Sequence, residues 1–417
     1  MNKVLIPELR FPEFNFERDW KVKELSELGE LINGLTYSPD DVREEGLLVL
    51  RSSNVQNGLI DLNDRVYVRK DINGANLSEP NDILICVRNG SKNLIGKNAM
   101  IPKDLHFVTH GAFMTVFRAK NSEFLFQLFQ TDMYDKQVKA DLGATINSIN
   151  GKNFLKYKFP VPENPKEQQK IADCLSSLDE VITAHSQKLE LLKDHKKGLM
   201  QNLFPQEGET VPKYRFPEFV NDGEWEKTTI DAIAKVSTGG TPESTNPEYW
   251  NGNIPWMNSG ELNNKRIFSV SNFITFKGLK ESSTKLIPPK CVLIGLAGQG
   301  KTRGTAAINY IELCTNQSIG SIHPNEDVFD SEFLYQRIDS MYETLRYLSA
   351  GDGGRGGLNL QIIKEMELLL PKKQEQQKIA SCLSICDELI TVQTSKIEQL
   401  KQHKKGLMQG LFPKILS

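Results

Sequence analysis

Long apolar runs are missing from this 417-residue chain: no stretch approaches the about 18 consecutive apolar side chains that a membrane-crossing helix needs. The amino-terminal MNKVLIPELRFPEF also lacks the extended apolar core of a secretory signal. Cysteine is sparse and unpatterned, since Cys86, Cys174, Cys291, Cys314, Cys382 and Cys386 form no C-x-x-C pair. These absences point to a reduced, cytoplasmic protein. No His or Cys stands elsewhere in ligand spacing, so no metal site is expected even though Cys382 and Cys386, four apart, would share a helix face. A strong charge imbalance is absent too: the formal net charge of -2 neither suggests nor excludes nucleic acid, because only the local distribution of Lys and Arg matters at a binding face. At 39% hydrophobic and 25% charged, the chain is long enough for two or three domains, each with its own core.

What is present is a repeat. EQQKIADCLSSLDEVITAHSQKLELLKDHKKGLMQNLFP (residues 167–205) returns at residues 375–413, a shift of 208 positions (375 minus 167), with 27 of 39 positions identical and no gap. In the first copy Ile171, Leu175, Leu178, Ile182, Leu189, Leu192, Leu199 and Leu203 follow the alternating four-three spacing of a heptad seam, with His185 and Lys196 filling the gaps. The second copy repeats it at Ile379, Leu383, Cys386, Ile390, Ile397, Leu400, Leu407 and Leu411, with Gln393 and Lys404 as the polar interruptions. No Pro interrupts either run, so each copy can be one helix of roughly 55 Å at about 1.5 Å per residue. A single exposed seam needs a partner, and the other copy is the obvious one.

The repeat extends beyond the helices. RFPEF at residues 10–14 followed by Trp20 returns at 215–219 followed by Trp225, and the same shift of 205 pairs Gly34 with Gly239 and Thr36 with Thr241. At the far end INGKNFLKYKFPVP (149–162) aligns with LNLQIIKEMELLLP (358–371). Between these bookends the two segments differ almost completely. Both read as α+β, with β-rich runs such as LLVLRSS (47–53), DILICVR (82–88) and CVLIGLAG (291–298), then helical stretches near 122–138 and 331–348. The expected order is a globular domain over 1–161, a helix over 162–206, a second domain over 207–371 and a second helix over 372–417. Antiparallel pairing of the helices would give the tandem repeat a pseudo-two-fold axis.

The chain resembles the specificity subunits of type I restriction-modification systems, whose pattern is two variable target-recognition domains separated by two long conserved helices. The resemblance covers essentially the whole sequence. It is carried by EQQKIA entering each helix, GGTPESTNPEYWNGNIPWMNSGEL (239–262) opening the second domain, RSSNV (51–55) in the first and NQSIGSI (316–322) in the second. The first domain departs from it, having NGLTYS and LLVLRSS where the second has GGTP and IPW. The resemblance implies a non-catalytic reader of double-stranded DNA, each domain taking one half of a bipartite target in the major groove. The paired helices would set the gap and dock two methyltransferase subunits. Restriction and translocase subunits complete such an assembly, and S-adenosylmethionine, ATP and Mg are expected on those partners, with no cofactor on this chain.

Base edges are told apart by Arg or Lys on guanine and Asn or Gln on adenine, with Ser and Thr in support. Polar turn residues are therefore the candidate readers: Thr36, Tyr37, Ser52, Ser53, Asn54, Arg88, Asn89, Lys92 and Lys97 in the first domain, and Thr241, Asn258, Ser259, Lys301, Thr302, Arg303 and Arg355 in the second. Each could instead be a solvated turn residue or a phosphate contact that positions without specifying.

Three further motifs need weighing. GLAGQGKT (295–302) fits the phosphate-loop pattern, yet RGTAAINYIELC follows it where a helix should begin, so Lys301 and Arg303 are expected to face DNA phosphates rather than nucleotide. NPEY (246–249) is similar to a methyltransferase motif but lacks its second Pro and a preceding G-x-G, and reads as a turn. HKKGLMQ, at 195–201 and 403–409, places His195, Lys196, Lys197, His403, Lys404 and Lys405 near helix C-termini, where basic groups suit the helix dipole. Its close repetition also suits a surface offered to a partner subunit, or phosphate contacts. The competing reading of the whole chain is a coiled-coil scaffold or an independent ATPase.

Overall fold

The computed structural model describes residues 5–142, 147–298, 301–349 and 357–413. The chain divides into two compact units, Met1–Ser186 with Ser395–Ser417, and Gln187–Thr394. The two repeated segments are continuous helices, Pro165–Leu203 and Lys373–Leu411, of 39 residues each. Proline marks their limits. Pro165 takes the first position, where a missing N–H costs nothing, while Pro205 and Pro413 follow the last turns. The Asn164 side chain accepts the Lys166 N–H at 3.0 Å and caps the first helix.

Each unit holds segments of both helices, packed antiparallel. In the first unit Lys404 meets Asp179 at 2.6 Å, while Leu411 and Phe412, farther along, join the cluster that contains Ile171 and Leu175. In the second, Lys196 meets Asp387 at 2.6 Å, and Leu203 and Phe204 pack with Ile379 and Leu383. Residue numbers fall on one helix as they rise on the other. The seam read from the heptad pattern is the face turned inward: Ile171, Leu175, Leu203, Ile379, Leu383, Cys386, Ile397 and Leu411 are buried, and the remaining apolar seam residues are half-buried.

Both globular domains are mixed helix and sheet with one strand order. In the first, Gly29–Asn33, Met114–Ala119, Ile83–Cys86 and Asn98–Met100 lie side by side, all antiparallel. In the second, Val236–Thr238, Ile319–Ile322, Val292–Gly295 and Ala306–Asn309 follow the same order, extended by Arg266–Ile267. A second sheet in each contains a parallel pair, Leu47–Leu50 beside Val108–His110 at one edge of the first and Trp250–Met257 beside Leu313–Thr315 at the centre of the second. The runs Leu47–Leu50, Ile83–Cys86 and Val292–Gly295 are buried at every position, as continuous apolar strands should be. The expected helices are Ser122–Leu128 with Asp132–Asp141, and Ser331–Ser340 with Tyr342–Leu348. Each domain's ends are stitched together by an antiparallel ribbon, Lys21–Glu24 with Lys158–Val161 and Glu226–Thr229 with Glu367–Leu370.

The duplicated residues meet at the root of each domain. Arg10 donates to both carboxylate oxygens of Glu167 at 2.8 Å, and Arg215 does the same to Glu375 at 2.8 and 2.7 Å, so the Arg of RFPEF and the Glu of EQQKIA exist for each other. Trp20, Phe124 and Phe412 form an aromatic trio with centroids 5.7–6.2 Å apart; in the second unit Phe333 stands 5.9 Å from Trp225 and 5.7 Å from Phe204. Gln127 donates to Asp179, which takes Lys404, and Gln336 donates to Asp387, which takes Lys196. A steric demand explains the paired glycines: a Cβ on Gly34 would lie 2.2 Å from the Gly111 carbonyl oxygen, and one on Gly239 1.8 Å from that of Thr315.

Candidate nucleic-acid interface

Strand direction decides where the turn residues go. In the first domain's antiparallel sheet, Asn33 pairs with Thr115, Met114 with Cys86, and Ile85 with Asn98, so the end of the first strand, the start of its neighbour and the next hairpin share one sheet edge. The parallel pair ends there as well, with the Gly111 N–H donating to the Leu50 carbonyl at 2.9 Å. Thr36, Ser52, Ser53, Arg88, Asn89, Lys92 and Lys97 are thereby collected at one end of the domain. The second domain repeats the arrangement, gathering Thr241, Asn258, Ser259, Lys301, Thr302 and Arg303 at the corresponding edge.

Within the first edge Asn89 Nδ2 donates to Ser52 Oγ at 3.2 Å, tying the hairpin loop to the 3-10 turn Ser52–Asn54. The exposed Arg88 guanidinium lies 5.8 Å from the ring of Phe113, itself 57% exposed, within range of a cation–π attraction. Beneath them burial pushes the Cys86 thiol above its usual range, although hydrogen bonds to Arg88 and Asn89 oppose the shift. Lys92 and Lys97, both exposed, border a cleft of about 610 Å³ with Lys139, Asn98, Gln130 and Phe129. Thr36 and Ser53 are exposed.

Several expectations need correction. Asn54 is fully buried: its Oδ1 accepts the Arg51 N–H and its Nδ2 donates to the Asp61 and Asp64 carbonyls, so the side chain builds the turn and presents nothing to a groove. Tyr37 is half-buried against the cluster of Leu35, Leu47, Val49 and Val68. Asn258 spends its carboxamide locally, accepting the Gly260 N–H and donating to Glu261. Arg355 lies outside the described residues. Lys196 and Lys404 do not belong to a free surface; both turn into the seam to pair with Asp387 and Asp179, while His195, Lys197, His403 and Lys405 stay exposed.

The phosphate-loop resemblance ends in a hairpin. After Thr302 the chain forms Ala306–Asn309 and pairs back, antiparallel, on Val292–Gly295, so a strand stands where a phosphate loop continues into its helix; Gln299 and Gly300 lie outside the described residues. NPEY is the turn expected, Asn246 capping the 3-10 helix Pro247–Tyr249 by accepting the Glu248 N–H. Among the described residues no group of three or more His, Cys, Asp or Glu is placed to hold a metal ion, and no helix is long and apolar enough to cross a membrane.

Two features escaped the sequence reading. The turns before Met114 and Ile319 bring exposed Ala112 and Phe113, and exposed Gln317, to the two edges. The SEFL tetrapeptide at 122–125 recurs at 331–334 and supplies Phe124 and Phe333 to the aromatic contacts. Its exact repetition was the available signal.

Comparison with known proteins places this architecture. The family described as Type I restriction modification DNA specificity domain matches the chain twice, over residues 17–194 and 222–402. The StySPI type I restriction enzyme specificity subunit of Salmonella potsdam is 25% identical, over 91% of this chain and 82% of its own length. The MjaIX specificity subunit of Methanocaldococcus jannaschii is 33% identical over 45% of this chain and 44% of its own. In fold, the S subunit of a type I restriction-modification system from M. genitalium aligns over 99% of this chain and 100% of that one, with a TM-score of 0.64 at 15% identity. Carrying the family's domain twice, on two domains of one strand order, the chain belongs to the type I restriction-modification DNA specificity family.

Proposed function

We propose that this chain is the non-catalytic DNA-reading subunit of a type I restriction-modification complex, each recognition domain taking one half of a bipartite target in the major groove. The observation that carries the reading is the partition of residues. Side chains identical between the repeats form the root of each domain, whereas the sheet edge, apart from the matched Thr36 and Thr241, is lined by side chains that differ and are rich in Ser, Asn, Arg and Lys. A repeated root with an edge that differs between the two domains suits one scaffold that reads two different half-sites.

The long helices set the gap and dock the partners in this reading. Half-sites about one turn of DNA apart, roughly 34 Å, present the same face of the duplex; a 39-residue helix, roughly 58 Å at about 1.5 Å per residue, is long enough for that interval. The duplicated exposed residues His195 and Lys197, and His403 and Lys405, suit two identical methyltransferase subunits. S-adenosylmethionine, ATP and Mg belong to the methyltransferase and restriction subunits, and this chain is required for both methylation and restriction without catalysing either.

The test is a genome-wide map of methylated adenines in cells expressing this chain with its methyltransferase subunit, against cells lacking the chain. A motif of two short defined halves around an unspecified gap, present only with the chain, is the expected result. Exchanging residues 210–371 for those of another family member should then alter one half alone. Co-purifying subunits with no chain-dependent methylation would overturn DNA reading; ATP binding by the isolated chain, abolished by Lys301→Ala, would favour the ATPase alternative.

A further inference from the structure

The second domain's edge carries one side chain with the geometry of a base reader. The turn from Thr315 to Ile319 is held from within: the Asn316 N–H donates to the Met257 carbonyl at 3.0 Å, Asn316 Oδ1 accepts the Ser318 N–H at 3.2 Å, and the Ser318 carbonyl accepts the Leu296 N–H at 2.8 Å. Both neighbours of Gln317 are thus spent on the turn, and Gln317 is left exposed at its apex. Its carboxamide is oriented nonetheless, because Thr241 Oγ donates to Gln317 Oε1 at 2.6 Å from a segment 76 residues away. Among the described residues Nε2 makes no hydrogen bond. Oε1 keeps a second lone pair.

A fixed carboxamide with one acceptor site and a free NH₂ is complementary to adenine in the major groove, where Oε1 takes the N6 amino hydrogen and Nε2 donates to N7. Thymine, cytosine and guanine each fail one of the two contacts. We propose that Gln317, positioned by Thr241, reads an adenine in the half-site taken by the second domain. This inference rests on the DNA-reading function above. The register-equivalent position in the first domain (317 minus 205 gives 112) is Ala112, followed by exposed Phe113, so the carboxamide is a feature of one half and contributes to reading a non-palindromic site.

The experiment uses the full chain assembled with its methyltransferase subunit. For the wild type, the methylation map together with the 210–371 exchange identifies the second domain's half-site. In the Gln317→Ala complex one adenine position of that half should become degenerate while the other half stays unchanged. Preference for the cognate over the substituted base should fall roughly 5- to 150-fold. Replacing that adenine by 7-deazaadenine in a duplex should weaken wild-type binding and leave Gln317→Ala binding unaffected. Thr241→Val, which removes only the orienting hydroxyl, should relax the same position partially. An unchanged motif in Gln317→Ala overturns the inference. So does relaxation at a position other than adenine, and so does a uniform loss of affinity with the motif intact, which marks a phosphate contact. Absence of any chain-dependent motif in the wild type would instead defeat the DNA-reading function itself.

Discussion

Substituting Arg215 with Met should do more damage than the same change at Arg10, although the two arginines are products of one repeat. Both make paired hydrogen bonds to a glutamate whose side chain is 1% exposed. Removing the guanidinium leaves a buried carboxylate without its counterion, a change that costs about 3–5 kcal/mol when nothing replaces it. In the first unit something remains, since Glu167 Oε1 also accepts from Trp20 Nε1 at 3.2 Å. In the second, Trp225 Nε1 is buried with no hydrogen-bond partner among the described residues, and Glu375 depends on Arg215. A hydrogen bond to a charged group contributes about 1.5–3 kcal/mol, so the Arg10→Met penalty should be smaller by about that amount. Amide hydrogen exchange across residues 167–178 and 375–386 measures the two helix starts separately, and a loss of about 3 kcal/mol raises exchange there about 150-fold. The double variant Arg215→Met with Glu375→Leu should recover most of the protection, because an apolar pair leaves no orphaned charge. Equal penalties at the two sites, or a double variant as open as Arg215→Met, would refute this account of the joint.

Burial holds the His110 imidazolium below the ordinary 6.5, against the Ile32 carbonyl, whose hydrogen bond favours the charged ring. That carbonyl requires Nε2 to donate, which leaves Nδ1 to accept from Ser78 Oγ. Below about pH 6.5 the unfolded chain takes up a proton that the folded chain resists, so the first unit's urea midpoint should fall on acidification. His110→Gln should flatten that slope; a midpoint that rises as pH falls contradicts the sign. Gly239→Ala should destabilise the second domain's edge, the new methyl meeting the Thr315 carbonyl at 1.8 Å, and should lower site preference before it affects the long helices; unchanged exchange at residues 236–241 and 313–319 would count against it. Charge reversal at the exposed Lys197 and Lys405 should reduce co-purification of the methyltransferase subunit, whereas Lys196→Met, inside the seam, should alter stability more than assembly. Identical behaviour of the two changes would refute their separation into surface and seam.

The architecture was legible because its signals are periodic or duplicated. The heptad spacing at Ile171, Leu175 and Leu178, and its echo at Ile379, Leu383 and Cys386, identified the inward face of each helix, since 3.6 residues per turn is a property of local backbone geometry. The pairing of Gly34 with Gly239 and of Glu167 with Glu375 marked a framework before any contact was known. The choice of turn residues as readers was only partly legible. Ser52, Ser53 and Asn54 are adjacent and chemically alike, yet Ser53 is exposed and Asn54 fully buried, because the Asp61 and Asp64 carbonyls lie over one and not the other.

The sequence by itself determined the number of domains, the helix seam and the division between repeated and variable residues, all of which depend on order and spacing along one chain. Tertiary structure alone decided that the seam position Lys196 is paired with Asp387, and that Thr241 and Gln317, 76 positions apart, share a hydrogen bond. The reason is physical. Helical period is set by neighbours within a turn, whereas burial and pairing are set by what other segments bring into contact, and no local pattern encodes which distant carboxylate or hydroxyl that will be.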